Sequence, residues 1–352
     1  MEIKTTGLTV DGVPVCTYTL RSASGLTLQL TNLGAAALAI CLPDGTDVLL
    51  GFRSPEQQLE KGPMFGVTLG RCAGKLLGGT YIHNGETVAL SRSHGLHHAH
   101  GGIRGFDKRA FETVRAEEDT VTFRYFSPDG EEHYPGDLTL FVTYRLGWDT
   151  VELRYEASAS ADTPVCISNH MYFNLYGHEA GRADAQRLAI HAAATAGLDE
   201  RGLPDGRALP VAGTSMDLNR PMRLDACLTQ PSPQMRLAGG FDHDYLLDGM
   251  AGPAAVLEAP GTGRFMELET SLPCIHFYLC DLRVAAYPGK DEARYTGRCG
   301  LCLEPMYPSD SLHNGLGPSP ILPAGTPWRQ HTVLRFRWNG EAQESGITSE
   351  EE

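Results

Sequence analysis

The sequence predicts an all-β protein, an antiparallel sandwich or barrel with few short helices. Apolar and polar residues alternate along three stretches, 121–125, 138–146 and 151–157. An alternation with a period of two is typical of strands with one buried face. Turn signals such as Ser127-Pro128-Asp129-Gly130 separate these stretches at intervals of about 8–12 residues, as in antiparallel sheets.

The flanking regions extend this pattern. Residues 1–50 read as short strands, and Ser54-Pro55 followed by Gln57 predicts one short helix that ends near Gly62-Pro63. Residues 177–240 are rich in glycine and proline, which predicts loops and short strands. Residues 254–280 alternate again, and 333–338 form a closing strand. The acidic tail, 341–352, is expected to be disordered.

Composition narrows the class of partner. The chain has 352 residues, of which 41% are hydrophobic, and a net charge of −14. A negative chain is a poor match for nucleic acid, whose phosphates need clustered lysine and arginine, or for an anionic membrane surface. No apolar run is long enough to span a bilayer. We therefore expect a neutral or weakly polar small-molecule partner, with no nucleic acid and no membrane.

The nine cysteines are scattered, and the N-terminus has no basic and apolar leader pattern. These features predict a cytoplasmic protein with free thiols. Cys299 and Cys302 have a C-x-x-C spacing, but a zinc site needs a second pair of ligands. A buried strand that carries small apolar side chains is the favoured interpretation.

Four polar segments punctuate the β pattern. In 167–175, a continuous strand would place His170, Tyr172 and Asn174 on one face, either lining a pocket or satisfied in the core. Residues 94–102 hold four histidines among glycines, which favours a loop that places one histidine in a pocket over a metal site. Asp242 lies in a third segment. Glu304 ends an apolar strand, where Pro305 is expected to stop the ladder.

With these segments in view, the sequence resembles the galactose mutarotase family, also called the aldose 1-epimerases. The matching motifs run in family order from residue 30 to 338. They are His100-Gly101-Gly102 with Gly105-Phe106-Asp107-Lys108-Arg109, Ser127-Pro128-Asp129-Gly130-Glu131-Glu132 with Tyr134-Pro135-Gly136, Ser168-Asn169-His170-Met171-Tyr172-Phe173-Asn174-Leu175, Phe241-Asp242-His243, and Cys302-Leu303-Glu304-Pro305.

The resemblance implies one large antiparallel β-sandwich of the galactose mutarotase-like supersandwich type, over residues 1–340, with a carbohydrate cleft. It implies an isomerase that interconverts the anomers of free hexoses such as galactose or glucose, with no metal and no cofactor. A monomer and a homodimer are equally compatible with the sequence.

The resemblance also implies roles for four residues. Glu304 would be the general base at the C1 hydroxyl, His170 the general acid at the ring oxygen, and His100 would stabilise charge nearby. Asp242 would hold sugar hydroxyls, while its neighbours His243 and Asp244 could be structural. Partial burial raises the pKa of a glutamate, which makes it a better base near neutral pH. We expect Glu304 and His170 to face each other across a sugar-sized gap.

Three single positions depart from the family pattern, and so does the segment 93–98 before His100, which lacks the family's asparagine-rich run. Gly74-Lys75 stands where the family usually has Asn-Arg, and His276 stands where it has a sugar-contacting glutamine. Lysine keeps a positive donor but lacks the planar fork of arginine. We expect rewired hydroxyl contacts, with Lys75 and His276 pointing into the cleft beside Gly74. These changes put the preferred sugar in question more than the reaction.

Three alternatives stay open at this stage. A hexose-6-phosphate 1-epimerase would need a cluster of cations, for which Lys75 and Arg71 are candidates. A non-catalytic sugar-binding protein could use the same fold. A glycosidase would need two carboxylates that flank the bond, and Asp242 and Glu304 are a candidate pair.

Overall fold

The computed structural model describes residues 1–60, 62–249, 251–282 and 286–338. The predicted tail, 341–352, lies outside the described residues. Nearly all regular structure is β, as predicted. In chain order, the strands of the first half are β1 (Glu2–Val10), β2 (Val13–Arg21), β3 (Thr27–Thr31), β4 (Ala36–Cys41), β5 (Thr68–Leu69), β6 (Lys75–Leu76), β7 (Thr80–His83), β8 (Glu86–Ala89), β9 (His98–Ala99), β10 (Glu112–Ala116), β11 (Thr120–Ser127), β12 (Leu138–Leu146), β13 (Thr150–Ala159), β14 (Thr163–Pro164), β15 (Ser168–Asn169) and β16 (Tyr172–Phe173).

The second half continues with strands and three short α-helices. Its strands are β17 (Arg187–Ile190), β18 (Ala192–Leu198), β19 (Pro204–Pro210), β20 (Met222–Arg223), β21 (Asp242–Leu247), β22 (Ala255–Ala259), β23 (Arg264–Thr270), β24 (Cys274–Leu279), β25 (Tyr287–Pro288), β26 (Arg294–Tyr295), β27 (Leu301–Met306), β28 (Ile321–Leu322) and β29 (Trp328–Arg337). The helices are α1 (Leu224–Cys227), α2 (Pro233–Ala238) and α3 (Ser311–Asn314).

Two large antiparallel sheets form the body of the molecule. The first has nine strands in the order β10-β11-β12-β13-β29-β23-β22-β17-β20, and the second has six in the order β16-β27-β24-β21-β18-β19. A four-stranded sheet, β1-β2-β3-β4, adds to them. The predicted strands at 121–125, 138–146 and 151–157 are the adjacent strands β11, β12 and β13. The antiparallel sandwich prediction is confirmed.

The main core lies between the two large sheets. Leu140, Leu153 and Leu334 of the nine-stranded sheet belong to the same buried apolar cluster as Phe277 and Leu303 of the six-stranded sheet. Because side chains alternate along a strand, the residues between these apolar ones face away from the core. The outer face of the six-stranded sheet is therefore free to carry polar groups.

The predicted short helix is present as a 3-10 helix, Pro55–Leu59, with Ser54 at its N-cap and Gln57 completing the capping box. Helices α1 and α2 were missed in 177–240. For α2 the signals are in the sequence, because Ser232 caps the first turn, proline is at the first position and Gly239 closes the helix in a left-handed conformation. In the part of the chain described here, no helix has the length and apolar character required to cross a membrane.

Two predicted strands differ in detail. The segment 167–175 is not one strand, because the chain leaves the ladder at His170 between β15 and β16. Pro305 does not end β27, which stays paired with β24 as far as Met306. Proline is tolerated there because β16 pairs with β27 only at Leu301 and Cys302, so no ladder donor is required beside Pro305 on that side.

Arg71 connects several loops through hydrogen bonds from its side chain. Its guanidinium group is buried and donates to the Ser127 Oγ and carbonyl oxygen, each at 2.9 Å. It also reaches the carbonyl oxygens of Pro128 at 3.1 Å, Pro135 at 3.1 Å and Gly136 at 2.9 Å. Every donor group of this side chain is thus used inside the protein, which leaves Arg71 unavailable to an external anion.

Arg71→Met is expected to lower the free energy of unfolding by about 3 kcal/mol or more, because each buried acceptor left unpaired costs on the order of 1–3 kcal/mol. Urea denaturation measures the loss. The control is Arg124→Met, which removes an exposed ion pair with Glu112 and should cost less than about 1 kcal/mol. Equal effects of the two substitutions would contradict the anchoring role of Arg71.

Candidate active site

Three neighbouring strands of the six-stranded sheet carry ionisable side chains on the face opposite the core. In the antiparallel ladders, His276 on β24 lies directly opposite Glu304 on β27 and directly opposite Asp244 on β21. Residues paired in this way share one face of a sheet. Asp242 lies two residues before Asp244 and so has the same facing. Register alone brings these four side chains together.

His170 reaches the same place from the break between β15 and β16. Its backbone is fixed by hydrogen bonds to Val67 and Gly66, each 2.9 Å long. The imidazole ring stacks on Tyr172 with a centroid separation of 4.9 Å. Its Nε2 lies 3.5 Å from the Glu304 Oε1, and its Nδ1 lies 3.4 Å from the Cys302 Sγ.

The expected sugar-sized gap between His170 and Glu304 is therefore wrong. At 3.5 Å the two groups are side by side, and no sugar ring fits between them. The reason is that His170 lies in the break between β15 and β16, two residues before Tyr172, which pairs with Cys302 on β27.

His100 is the histidine of 94–102 that faces this pair. Its ring centroid is 5.8 Å from that of His170, and its backbone N–H donates to the Gly74 carbonyl at 3.0 Å. His97 and His98 are used elsewhere. His97 Nδ1 accepts from the Gly78 N–H at 3.1 Å, and His98 is buried with its Nε2 2.6 Å from the Tyr134 hydroxyl.

Lys75 and Gly74 border the cluster. Lys75 is half-buried on β6, and its charge lowers the pKa values of His100 and Asp242. Gly74 has a φ of +75°, and an added Cβ would lie 2.5 Å from the Met306 Cε. The asparagine typical of the family would not fit there without a shift of Met306.

Burial controls the ionisation of the central pair. It raises the pKa of Glu304 to about 8, a shift that His276 opposes and Asp242 and Asp244 reinforce. Both Glu304 oxygens are buried and have no hydrogen-bond partner in the described chain. Burial, followed by the charges of His100 and His276, lowers the pKa of His170 well below 6.5. At neutral pH the pair therefore holds one proton, and it resides mainly on Glu304.

His100 is also neutral at pH 7. Burial, with smaller contributions from His276 and Lys75, lowers the pKa of His100 to about 3. His276 behaves in the opposite way. Burial alone would lower its pKa, but hydrogen bonds to Asp242 and Asp244 outweigh this and raise the pKa of His276 well above 6.5. The cluster thus combines two neutral imidazoles, one charged imidazole and a protonated carboxyl group.

The sequence of this chain is similar to those of known epimerases. A family model described as Aldose 1-epimerase matches residues 17–335. A galactose mutarotase from Homo sapiens is 33% identical over 317 residues, which cover 88% of this chain and 91% of that protein. An aldose 1-epimerase from Escherichia coli (strain K12) is 33% identical over 344 residues, which cover 95% of this chain and 98% of that protein.

The chain belongs to the aldose 1-epimerase family.

Solved structures agree with this membership. A galactose 1-epimerase from Lactobacillus acidophilus NCFM superposes with a TM-score of 0.85 at 27% identity, over 96% of this chain and 99% of that one. An aldose epimerase homologue from C. elegans superposes with a TM-score of 0.84 over 92% and 99% of the two chains, and at 23% identity it shows the fold alone.

Two residues of this cluster, Asp244 and Cys302, were not predicted to contribute to it. Asp244 was left without a role, yet its Oδ1 lies 2.6 Å from the His276 Nδ1. Its spacing of two residues from Asp242 was the available signal, since both must share a face. Cys302 contacts the His170 ring from β27, which no local pattern predicts, whereas the spacing of two already placed Tyr172 on the same face as His170.

One group in the described residues has the ligand types for a metal ion. His170, Cys302 and Glu304 place their ligand atoms within 4.8 Å of one another. Burial raises the pKa of the Cys302 thiol well above its usual value. A thiol must lose its proton to bind a metal, so this environment disfavours metal binding by Cys302.

The loop that carries His100 depends on a glycine. Gly101 has a φ of +90°, and an added Cβ would lie 1.7 Å from the Gly70 carbonyl oxygen. Gly95, in the same segment, has a φ of +61° but nothing within 4 Å of an added Cβ. Gly101→Ala must therefore move the backbone, whereas Gly95→Ala meets only the conformational penalty.

Gly101→Ala is expected to lower the free energy of unfolding by about 3 kcal/mol or more, against about 1–2 kcal/mol for Gly95→Ala. Chemical denaturation of both variants measures the difference. Tolerance of Gly101→Ala at the level of the control would contradict the close packing of this loop on Gly70.

Proposed function

We propose that this protein is an aldose 1-epimerase that interconverts the α and β anomers of a free hexose such as galactose or glucose. One observation carries the proposal: the carboxyl group of Glu304 and the imidazole of His170 lie 3.5 Å apart on the face of the sheet opposite the core. Both hydroxyl O1 and ring oxygen O5 of an aldose are bonded to C1. A base and an acid that serve these two atoms must therefore be adjacent.

Ring opening needs one proton removed and one delivered. Ionised Glu304 accepts the proton of the C1 hydroxyl while protonated His170 gives a proton to O5. The C1–O5 bond breaks and the C1 carbonyl forms. After rotation about C1–C2, protonated Glu304 returns a proton to the carbonyl oxygen while neutral His170 takes the proton from O5, and the ring closes with inverted C1. Each group contributes about 10²–10⁴-fold.

The pair holds the same single proton before and after each half of this cycle. Closing uses the form with the proton on Glu304, which is the main form in the free protein. Opening uses the form with the proton on His170. Sugar hydroxyls that donate to the unpartnered Glu304 oxygens would favour its ionised form. His100, a neutral neighbour of His170, would donate to charge that develops near O5.

Several side chains around the pair suit sugar hydroxyls. Asp242 is partly exposed at the rim and can accept hydrogen bonds, while Lys75 can donate them. His276 lies in the same row, with its Nε2 directed at Asp242. Gly74, beside Lys75, has no side chain, and Met306 occupies the space that one would need. We infer that these residues set which hexose binds.

Two observations favour a free sugar over a hexose 6-phosphate. Arg71 is buried and bonded to internal carbonyl oxygens, and His276 is engaged by two carboxylates. Lys75 is then the remaining candidate cation from the sequence analysis, and one lysine is a weak phosphate site.

The nine cysteines are all free thiols, which fits the cytoplasm as the proposed location.

Glu304→Gln and His170→Asn are each expected to slow the interconversion of freshly dissolved α-galactose and α-glucose by about 10²–10⁴-fold, because each removes one proton-transfer group. Polarimetry measures the rate above that of buffer. The matched control is His178→Asn, which replaces a buried histidine bonded to Tyr295. A wild-type rate equal to the buffer rate would reject the proposed function.

The pH dependence follows from the shared proton. At a pH below the Glu304 pKa of about 8, the carboxyl–imidazole pair holds its proton. At a higher pH the pair loses this proton and has no acid for ring opening. We therefore expect kcat/KM to be independent of pH near pH 7 and to fall above about pH 8. Rates corrected for the hydroxide-dependent background test this. A continued rise well above pH 8 would contradict the one-proton mechanism.

A further inference from the structure

We propose that His276 is a fixed cation, doubly protonated between Asp242 and Asp244, whose charge favours the ionised form of the general base Glu304. In this role His276 is a positioning residue for the base. The inference rests on the proposed function only for the role of Glu304. The charge state of His276 stands on its own geometry.

The two carboxylate contacts of the imidazole point to its protonation state. Its Nδ1 lies 2.6 Å from the Asp244 Oδ1, and its Nε2 lies 2.9 Å from the Asp242 Oδ1. A neutral imidazole has one donor nitrogen and one acceptor nitrogen, whereas ionised carboxylates only accept. Both contacts are satisfied together only when both ring nitrogens carry a proton.

Asp244 is held in place to maintain this arrangement. It is buried, and its second oxygen accepts the backbone N–H of Ser309 at 2.7 Å. A hydrogen bond from a backbone amide favours the ionised carboxylate. Burial alone would raise the pKa of Asp244, but the contacts of His276 and Ser309 outweigh it, and the pKa lies below 3.8. Burial would also raise the pKa of Asp242, but the contacts of His276, with the charge of Lys75, outweigh it and keep that pKa low.

The cation stands beside the group it would influence. His276 and Glu304 are directly opposed residues of adjacent antiparallel strands, so their Cβ atoms are about 5 Å apart on one face. A positive charge at this range stabilises the carboxylate form of a neighbour. Of the charges that act on Glu304, His276 lowers its pKa, while Asp242 and Asp244 raise it. Without the cation, two aspartates would act on Glu304 uncompensated.

The other groups around this row do not replace it. His100 and His170 are neutral, because burial lowers the pKa of each well below 6.5. The pKa of His243 is lowered to about 4, also chiefly by burial. The Cys302 thiol is protonated. Lys75 acts on His100 and Asp242, at the rim of the cluster. His276 is thus the cation paired with Glu304 across the ladder.

The first test reads the charge of His276 directly. In protein labelled with ¹³C and ¹⁵N at histidine, the resonance lost in His276→Gln identifies residue 276. We expect its ring to stay doubly protonated at pH 7 and to titrate above 6.5. A wild-type midpoint at or below 6.5 would overturn the proposal. This measurement needs neither substrate nor activity.

The carboxylates are tested in the same spectra. Asp244→Asn removes the acceptor charge at Nδ1 and is expected to lower the His276 midpoint by about 1 unit or more. The matched control is Asp162→Asn, which removes the partner of His83, 3.1 Å away on the exterior. It should leave the His276 midpoint unchanged. An equal effect of both variants would contradict the local hold on His276.

The second test reads the influence on Glu304. His276 lowers the pKa values of both members of the Glu304–His170 pair, so its charge makes the pair lose its proton at lower pH. In His276→Gln, the decline of kcat/KM at alkaline pH is expected to move up by about 1 pH unit. If His276→Gln only removed a hydrogen bond to a sugar hydroxyl, kcat/KM would fall at every pH, and its alkaline decline would stay at the same pH.

The outcomes separate the two proposals. An inactive wild type with a doubly protonated His276 rejects the proposed function and leaves the charge assignment standing. If the wild type is active and kcat/KM declines at the same alkaline pH in the wild type and in His276→Gln, the influence of His276 on Glu304 is rejected. Glutamine suits the test because it is neutral and is the residue typical of the family at this position.

Discussion

The register of three strands is the constraint on which the site depends. Asp244, His276 and Glu304 are consecutive partners across β21, β24 and β27, and a slip of one residue in any of these ladders would turn its polar set into the core. The apolar residues between them, such as Phe277 and Leu303, belong to the main core. Burial of those side chains therefore locks the register, and the same packing that stabilises the sandwich aligns the ionisable groups.

Much of this arrangement was predictable from the sequence. The strands β11, β12 and β13 followed from alternation alone, because one face of each is buried and the other is not. Glu304, His170, His100 and Asp242 were predicted from motifs, and the structure brings them into one cluster. Their catalytic and binding roles stay predictions. The spacing of two residues between Asp242 and Asp244 also indicated that both side chains lie on the same face of the strand.

Other features could not be predicted from local pattern. The side-by-side contact of His170 and Glu304 depends on the break between β15 and β16, which is a tertiary property. Pro305 looked like the end of a strand, and it is tolerated because the neighbouring strand is absent at that level. The contact between Asp244 and His276 depends on which strand pairs with β24. Which histidine of 94–102 faces the Glu304–His170 pair depends on tertiary contacts, because His97 and His98 have partners elsewhere.

The distribution of the cluster over the chain has a further consequence. Glu304, His276, Asp242 and Asp244 belong to the strands of a sheet locked by the core, whereas His100 and Gly74 lie in connecting segments outside it, next to Lys75 on the short strand β6. Two of the residues that we propose to select the sugar, Gly74 and Lys75, thus lie outside the locked sheet that holds Glu304. Exchange of the connecting segments offers a route to new sugar preferences in which the reactive carboxyl group keeps its setting, and directed evolution of this scaffold can begin there.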